Sequence, residues 1–254
     1  MTHAMTPAII SLIALTLIFG AALAGMMIQS FLPEHHLSED SKTIIKAARS
    51  VVVGLSALTL GLLIATAKES FDTKVSELKT GTSKMIVMNR LLVNYGDKSL
   101  AARGALRELA ESGVKSLQKT NREGIQTNEL LGQGIDKLLH ALMELPDGTA
   151  REHWLKNSAL TLGNEIAASR WKIHQNSSAS VSPLFLLILI FWLMTIFFSL
   201  GLIAPFNAAV IIALLMAALS MTGAILLTME LDQPYGGVIQ ISTEPIEMAI
   251  KQFK

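Results

Sequence analysis

Two groups of side chains in the sequence have the types and spacing that could bind an ion. The first is segment 34–40, which contains Glu34, the adjacent pair His35 and His36, and two further carboxylates, Glu39 and Asp40. Zn²⁺ and Ca²⁺ use such ligands, but two adjacent histidines cannot easily both reach one ion with good geometry. We therefore interpret the segment as a solvated loop and predict no metal site in it.

The second group is a pair of cations that precedes an apolar segment. Six residues share one helical face at a spacing of three to four: Lys46, Arg49, Val53, Ser56, Leu60 and Leu63. Such a face would place a basic mouth before an apolar throat, which favours anions at entry and can close by dewetting. In the alternative interpretation, both cations extend to lipid headgroups and the apolar residues face lipid or protein.

Motifs of enzymatic chemistry are missing from the sequence. There is no cysteine, which excludes thiolate metal sites, cysteine nucleophiles and a disulfide scaffold. Gly132-Gln133-Gly134 lacks the Lys-Ser/Thr ending of a phosphate-binding loop, and no G-x-S-x-G motif occurs. His140, His153 and His174 do not have H-E-x-x-H spacing, so we expect them to form surface or interhelical hydrogen bonds. We predict no catalytic residue, metal or cofactor.

The elements that must position these residues are long apolar segments. Hydrophobic residues make up 51% of the chain and charged residues 16%, and the mean hydropathy is +0.47. Because a soluble domain usually has about 25% charged residues, this composition indicates a membrane protein. A net charge of +1 gives no signal for nucleic acid. Four segments are long enough to cross about 30 Å of hydrocarbon as helices: 7–29, 49–67, 183–202 and 206–229.

The first span could instead be a cleaved signal peptide, because Ala22-Leu23-Ala24 resembles a cleavage site. Residues 1–8 contain no Lys or Arg and the apolar stretch is too long, so we retain it as a span. Of the 21 Lys and Arg residues, 16 lie between Lys68 and Lys172 and two more in the C-terminal tail. Because cytoplasmic flanks carry excess Lys and Arg, we expect the insert and both termini to be cytoplasmic, in an inner membrane.

The sequence therefore predicts an all-α polytopic membrane protein with four transmembrane helices and a helical cytoplasmic insert between the second and third. Its expected domains are a first transmembrane hairpin at 1–67, a cytoplasmic helical domain at 68–182, a second hairpin at 183–229 and a C-terminal turn and short helix at 230–254. Within the insert, one helix continues from the second span to about Leu92, and three more are expected at 98–118, 128–144 and 150–174. In the tail, Ser242 or Thr243 is expected to cap a helix at 245–251.

The spans contain no Asp, Glu, Lys, Arg or His between their ends. Proton-coupled pumps and rotary-motor stators use such residues as relays, so their absence disfavours that chemistry, whereas a passive pore needs none. Two stripes of small residues are interpreted as packing seams within or between subunits: Ser50, Gly54, Ala57, Gly61 and Ala65 in the second span, and Ala209, Ala213 and Ala217 in the fourth.

The segment after the fourth span contains Leu231-Asp232-x-Pro234-x-x-Gly237, followed by Ser242-x-Glu244-Pro245. This string resembles the end of the bestrophin-like membrane domain family of prokaryotes. The resemblance includes Asn164-Glu165, Arg170 and the passage from Gly61 to Phe71-Asp72, so that it covers roughly residues 50–250. The family tends to have a basic residue and Phe where this chain has Gln233 and Tyr235.

The resemblance implies a remote relation to bestrophins, which are pentameric, calcium-activated anion channels with four spans and a helical cytosolic part. No residues match their acidic calcium clasp, so we predict no calcium gate. Our leading hypothesis is a homo-oligomeric ion channel in the bilayer that favours anions, with a pore lined by the second span, an apolar constriction and, by analogy, five subunits. The alternative is a non-conducting scaffold or signalling protein that binds a cytoplasmic partner through its 68–182 helices.

Overall fold

The computed structural model describes residues 7–31, 38–118, 124–175, 182–232, 239 and 241–253. Within these ranges every regular element is a helix, apart from connecting turns. The helices are α1 (Pro7–Phe31), α2 (Glu39–Tyr95), α3 (Leu100–Gln118), α4 (Gly124–Met143), α5 (Ala150–Gln175), α6 (Pro183–Ile203), α7 (Ala208–Asp232) and α8 (Glu244–Gln252), with a short 3-10 helix at Asp97–Ser99.

Four of these helices, α1, α2, α6 and α7, are long and apolar enough to cross a membrane. The predicted all-α class with four apolar helices is thereby confirmed. The break between α6 and α7 has a local cause, because the side-chain oxygen of Asn207 accepts a hydrogen bond from the Val210 amide at 2.8 Å and so caps α7. Pro183 occupies the first turn of α6, where its missing amide hydrogen costs nothing.

The chain divides into two compact units. Unit 1 comprises residues 1–70 and 179–232, and unit 2 comprises residues 71–178 and 233–254. Helix α2 contributes its first part to unit 1 and its second part to unit 2.

Unit 1 is organised around α1, which packs against α6 and α7. The buried side of α1 combines small residues at helical spacing, Ser11, Ala14, Ala22 and Gly25, with the larger Ile18 and Met26. A methyl group at Gly25 would collide with the backbone carbonyl of Phe198, and one at Gly201 would collide with the backbone carbonyl of Ala22. The backbones of α1 and α6 therefore approach as closely as two helices can, and only glycine fits at these two positions.

The two predicted stripes of small residues do not form this seam. Gly54 and Gly61 of α2 have no other heavy atom within 4 Å of the position a methyl group would take. Ala209, Ala213 and Ala217 of α7 are also exposed within the chain. Both stripes thus remain available to contact lipid or another subunit, and their role as packing seams stays a prediction.

Unit 2 has an apolar core supplied by the second part of α2 and by α3, α4, α5 and α8. Its fully buried large side chains are Met88, Leu92, Leu106, Leu109, Leu138 and Leu142. Ile246 and Ala249 of helix α8 and Phe253, which follows it, close this core. The Asn89 side-chain amide fixes the end of α8 by donating to the Gln252 carbonyl at 3.3 Å.

Helix α8 starts close to the predicted position, and the two predicted capping residues form different hydrogen bonds there. Thr243 lies at the N-cap position, but its hydroxyl donates to the Glu247 carboxylate at 2.7 Å instead of accepting from a backbone amide. The Ser242 hydroxyl accepts from the Glu244 amide at 3.2 Å. Of the two predicted capping residues, it is therefore Ser242 that accepts a backbone hydrogen bond of α8.

The seam between α1 and α6 generates a direct test. Gly25→Ala or Gly201→Ala should lower the thermal unfolding midpoint and the yield of monodisperse protein, because overpacking of this kind costs about 1–3 kcal/mol. Thermal unfolding followed by size-exclusion chromatography in detergent measures both. Gly20→Ala in α1 and Gly223→Ala in α7 are matched controls with open space at the added methyl group. Equal midpoints for all four variants would show that the close approach does not hold unit 1 together.

Candidate functional site

The apolar part of α2 has one face covered by the chain and one face open. Ser56, Leu63 and Ala67 are buried, with exposed fractions of 5%, 7% and 0%. On the other side, Leu58 and Leu62 are 73% and 66% exposed. A surface of this kind in an apolar helix must be covered by lipid, by another subunit or by the contents of a pore.

The six residues predicted to line a pore differ in how far they are exposed in the single chain. Lys46 is exposed, Val53 is 44% exposed, and Arg49 and Leu60 are partly exposed. Ser56 and Leu63 are covered by other residues of the same chain. The Ser56 hydroxyl also donates to the Val52 carbonyl at 2.8 Å, so its polarity is satisfied within α2. Four of the six residues therefore reach the surface of the single chain, and two do not.

The first turns of α2 carry the cations that precede the apolar stretch. Lys42 pairs with Glu39 at 3.0 Å. Within the described ranges, neither Lys46 nor Arg49 forms an ion pair. Two positive charges one helical turn apart raise the local potential. The pKa of Glu39 is lowered by the Lys42 hydrogen bond and also by the charge of Lys46, so that the Glu39 carboxylate offsets part of this potential.

Several hydroxyl groups in the apolar helices donate to carbonyls of their own helix, whereas the buried Ser11 hydroxyl has no hydrogen-bond partner within the described residues. Thr195 donates to the Phe191 carbonyl at 3.0 Å, and Ser220 donates to the Met216 carbonyl at 2.9 Å. Thr222 likewise donates to the Ala218 carbonyl. Hydroxyls that are satisfied in this way are poorly suited to relay protons, which agrees with the lack of charged residues inside the spans.

A polar cluster lies at the corner between α4 and α5 in unit 2. Lys98 donates to the Glu152 carboxylate at 2.8 Å, and the Thr149 hydroxyl donates to the same carboxylate at 3.1 Å. The Lys98 hydrogen bond, followed by that from Thr149, lowers the pKa of Glu152. The same bond to Glu152 raises the pKa of Lys98.

The predicted histidine contacts can be located in part. His153 lies 3.3 Å from Asp147 and 2.9 Å from Asn157, and its two ring nitrogens thus bond to neighbours at the start of α5. His140 lies 3.5 Å from Glu144. The His174 side chain is outside the described side chains. In the described part of the chain, no group of three or more His, Asp or Glu residues is placed to hold a metal ion.

The signature segment is only partly described. Leu231 is buried at the end of α7 and Asp232 is half-buried, whereas Glu244 and Pro245 begin α8. Pro234 and Gly237 lie outside the described residues, as does the loop at 32–37 with its two histidines. Sequence reasoning missed the glycine seam of α1 and α6, although the Ala22-x-x-Gly25 spacing of small residues could have indicated it.

Four helices with apolar stretches long enough to cross a membrane, together with a second helical unit, indicate a membrane protein. The comparison with known families is specific, because the model of the bestrophin-like domain matches residues 16–246. The chain belongs to the bestrophin-like family. A comparison with curated proteins finds no match.

Solved structures show that the fold is shared at low sequence identity. A bacterial bestrophin homologue from Klebsiella pneumoniae matches with a TM-score of 0.67 and 12% identity, covering 96% of this chain and 98% of that one. Two further structures of this homologue also match. One has a TM-score of 0.64 and 12% identity, and covers 95% of this chain and 96% of that one. The other has a TM-score of 0.55 and 11% identity, and covers 95% of this chain and 97% of that one. This likeness establishes the fold of the chain.

The Lys98–Glu152 pair predicts a dependence of stability on pH. Because the pKa of Glu152 is lowered in the folded protein, its contribution is fully present above the ordinary value of 4.5 and is lost as the pH falls through the lowered pKa. Glu152→Gln should therefore lower the thermal midpoint at pH 7, and the difference from the unsubstituted protein should be smaller at a pH below the lowered pKa. Asp136→Asn serves as the control, since Asp136 is exposed and forms no ion pair within the described residues. A difference that is the same at both pH values would contradict the assignment.

Proposed function

We propose that this chain is the subunit of a homo-oligomeric ion channel in the inner membrane that passes anions in preference to cations. The family and the shared fold support an ion-channel kind of function. The observation that carries the proposal is the uncharged, exposed surface of α2, which begins beside two cations without a carboxylate partner in the described ranges. An apolar lining with a positive entrance selects anions without any charge inside the membrane.

The proposed pore is lined by the second span. Because Ser56 and Leu63 are buried, we propose only the other four predicted residues as its lining. Lys46 and Arg49 would form the entrance, and Val53 and Leu60 the apolar constriction. Ser56 and Leu63 would hold α2 against the rest of its own chain instead of facing the pore. In this arrangement the 68–182 helices form a cytoplasmic vestibule and both termini are cytoplasmic. Five subunits are proposed by analogy with bestrophins.

Single cysteines along α2 test the lining, because the chain has no cysteine of its own. Val53→Cys and Leu60→Cys should react with a charged, water-soluble methanethiosulfonate reagent and lose chloride current in planar bilayers. Ser56→Cys and Leu63→Cys are matched controls on the same helix, and we expect their currents to resist the reagent because these positions are covered. Block at Ser56→Cys and Leu63→Cys but not at the other two positions would contradict the proposed lining and place the covered edge of this face in the pore.

The entrance cations predict a salt-dependent effect on conductance. Neutralising Lys46 or Arg49 to Gln should lower chloride conductance about two- to fivefold in 50 mM salt and have little effect in 1 M salt, because the attraction is screened. Single-channel recording at both concentrations measures this difference. Lys115→Gln on α3 removes a charge elsewhere and should change neither value. Equal loss at both salt concentrations would show that these residues do not attract ions electrostatically.

The second candidate, a scaffold that binds a cytoplasmic partner, is favoured by one observation. Unit 2 exposes large apolar side chains, among them Met143 at 60%, Trp154 at 62% and Trp171 at 58%. A subunit interface would cover such residues as well as a partner would. A continuous solvent path along the oligomer axis supports the channel, whereas a closed axis in the folded oligomer supports the scaffold.

A further inference from the structure

Unit 2 contains a cavity of about 260 Å³ that no part of the proposed channel uses. It lies between the first turns of the second part of α2 and the segment that leads into α8. Five apolar residues line it: Phe71, Val75, Leu78, Ile241 and Pro245. The polar lining comes from Lys79 and Ser242. The cavity thus has an apolar body with a cation and a hydroxyl at its edge.

The arrangement of these residues follows from their positions on the two elements. Phe71, Val75 and Leu78 recur at a spacing of four and three residues and therefore lie on one side of α2. Ile241 is 8% exposed and closes the cavity from the opposite wall. Sites for small ligands are usually mainly apolar with a few convergent polar groups, and this cavity has that composition.

The two polar groups at the edge of the cavity, Lys79 and Ser242, can both donate hydrogen bonds to a ligand. Within the described ranges Lys79 forms no ion pair and no side-chain hydrogen bond. The Ser242 hydroxyl accepts from the Glu244 amide, which leaves its own hydrogen free to be donated. An ammonium group and a hydroxyl donor together favour an anionic oxygen, as in a phosphate or carboxylate.

The chain itself places Phe71, at one end of the cavity, close to the end of the apolar run of α2. Phe71 follows Ala67, at the end of the apolar run of α2, by only four residues. Four residues span at most about 14 Å in any conformation, so that Phe71 cannot lie far from the end of the span. Lipid is the most abundant source of apolar chains and anionic heads at that level, and anionic lipids concentrate in the cytoplasmic leaflet.

We propose that this cavity binds one acyl chain of an anionic membrane phospholipid, with Lys79 and Ser242 holding the phosphate of its headgroup. The apolar walls take the chain, and the two polar groups select the negative head. The site joins α2 to the segment before α8, so that an occupied cavity stiffens unit 2 at the end of the second span. Binding does not require conductance, and the proposal therefore stands or falls separately from the channel.

Native mass spectrometry of the full chain in detergent tests the proposal with added phosphatidylglycerol or phosphatidylcholine. We expect the anionic lipid to be retained about fivefold better, since one lysine near a lipid surface contributes that much attraction. Lys79→Gln should remove the preference, whereas Lys115→Gln should leave it intact. Val75→Trp, which fills the cavity, should lower retention of both lipids, and Val87→Trp, at a position on α2 that is 47% exposed, should not.

A labelling experiment keeps the proposal testable even if Val75→Trp does not fold. Ser242→Cys should react more slowly with a maleimide when phosphatidylglycerol is present, and Ser76→Cys, at an exposed position of α2, should react at an unchanged rate. Glycerol phosphate, which has the head without the chain, should give no protection. Protection by glycerol phosphate alone would mean an anion site without a lipid, and equal retention of both lipids by all variants would mean no site. Either result overturns the proposal.

Discussion

The close approach of α1 and α6 at Gly25 and Gly201 is the contact on which unit 1 depends. Inside hydrocarbon there is no hydrophobic force to bring apolar helices together, so their association rests on packing between backbones and small side chains. Two glycines that each face a backbone carbonyl of the other helix give that packing. Helix α1 then also covers part of α7. The three helices form the fixed part of the unit, and their contacts leave much of α2 uncovered.

Because much of the apolar part of α2 is exposed in the single chain, lipid or another subunit must cover it. Leu58 and Leu62 are more than half exposed, and the small residues Gly54, Ala57 and Gly61 of the same helix are also exposed. Neighbouring copies could approach this surface closely, as α6 approaches α1. The edge that carries Val53 and Leu60 is partly open, and two cations precede it. The partly open edge of α2 would then line the proposed pore, which needs no charged residue inside the membrane.

Much of the architecture follows from the sequence, because hydropathy and helix-ending residues are local signals. Helices α1, α6 and α7 were predicted within a few residues of their ends. Helix α2 begins at Glu39, well before the predicted start of the second span at 49, and ends at Tyr95, close to the predicted end near Leu92. Gly96 has a φ of 92°, which explains why glycine stands there. The confirmed resemblance at the C-terminal segment provided the family.

The orientation of α2 could not be predicted in the same way. In a soluble helix the polar side marks the surface, but in an apolar span both sides have the same hydropathy. Ser56 and Leu63 fit a helical stripe with Val53 and Leu60, yet the fold covers the first two and leaves the others at the edge. Only the tertiary contacts of unit 1 decide that difference. The cavity beside Phe71 could likewise not be predicted from the sequence, because Ile241 and Pro245 are separated from Phe71 by about two-thirds of the chain.

Ion flux through proteoliposomes that contain only this purified protein distinguishes an anion channel from a non-conducting protein. Chloride and potassium gradients are applied separately, and the oligomeric state is verified in the same preparation. We expect rapid chloride flux, slower potassium flux and a reversal potential close to that of chloride. No flux of either ion from folded, oligomeric protein would contradict a self-sufficient channel, and preferential potassium flux would contradict selection of anions by the entrance at Lys46 and Arg49.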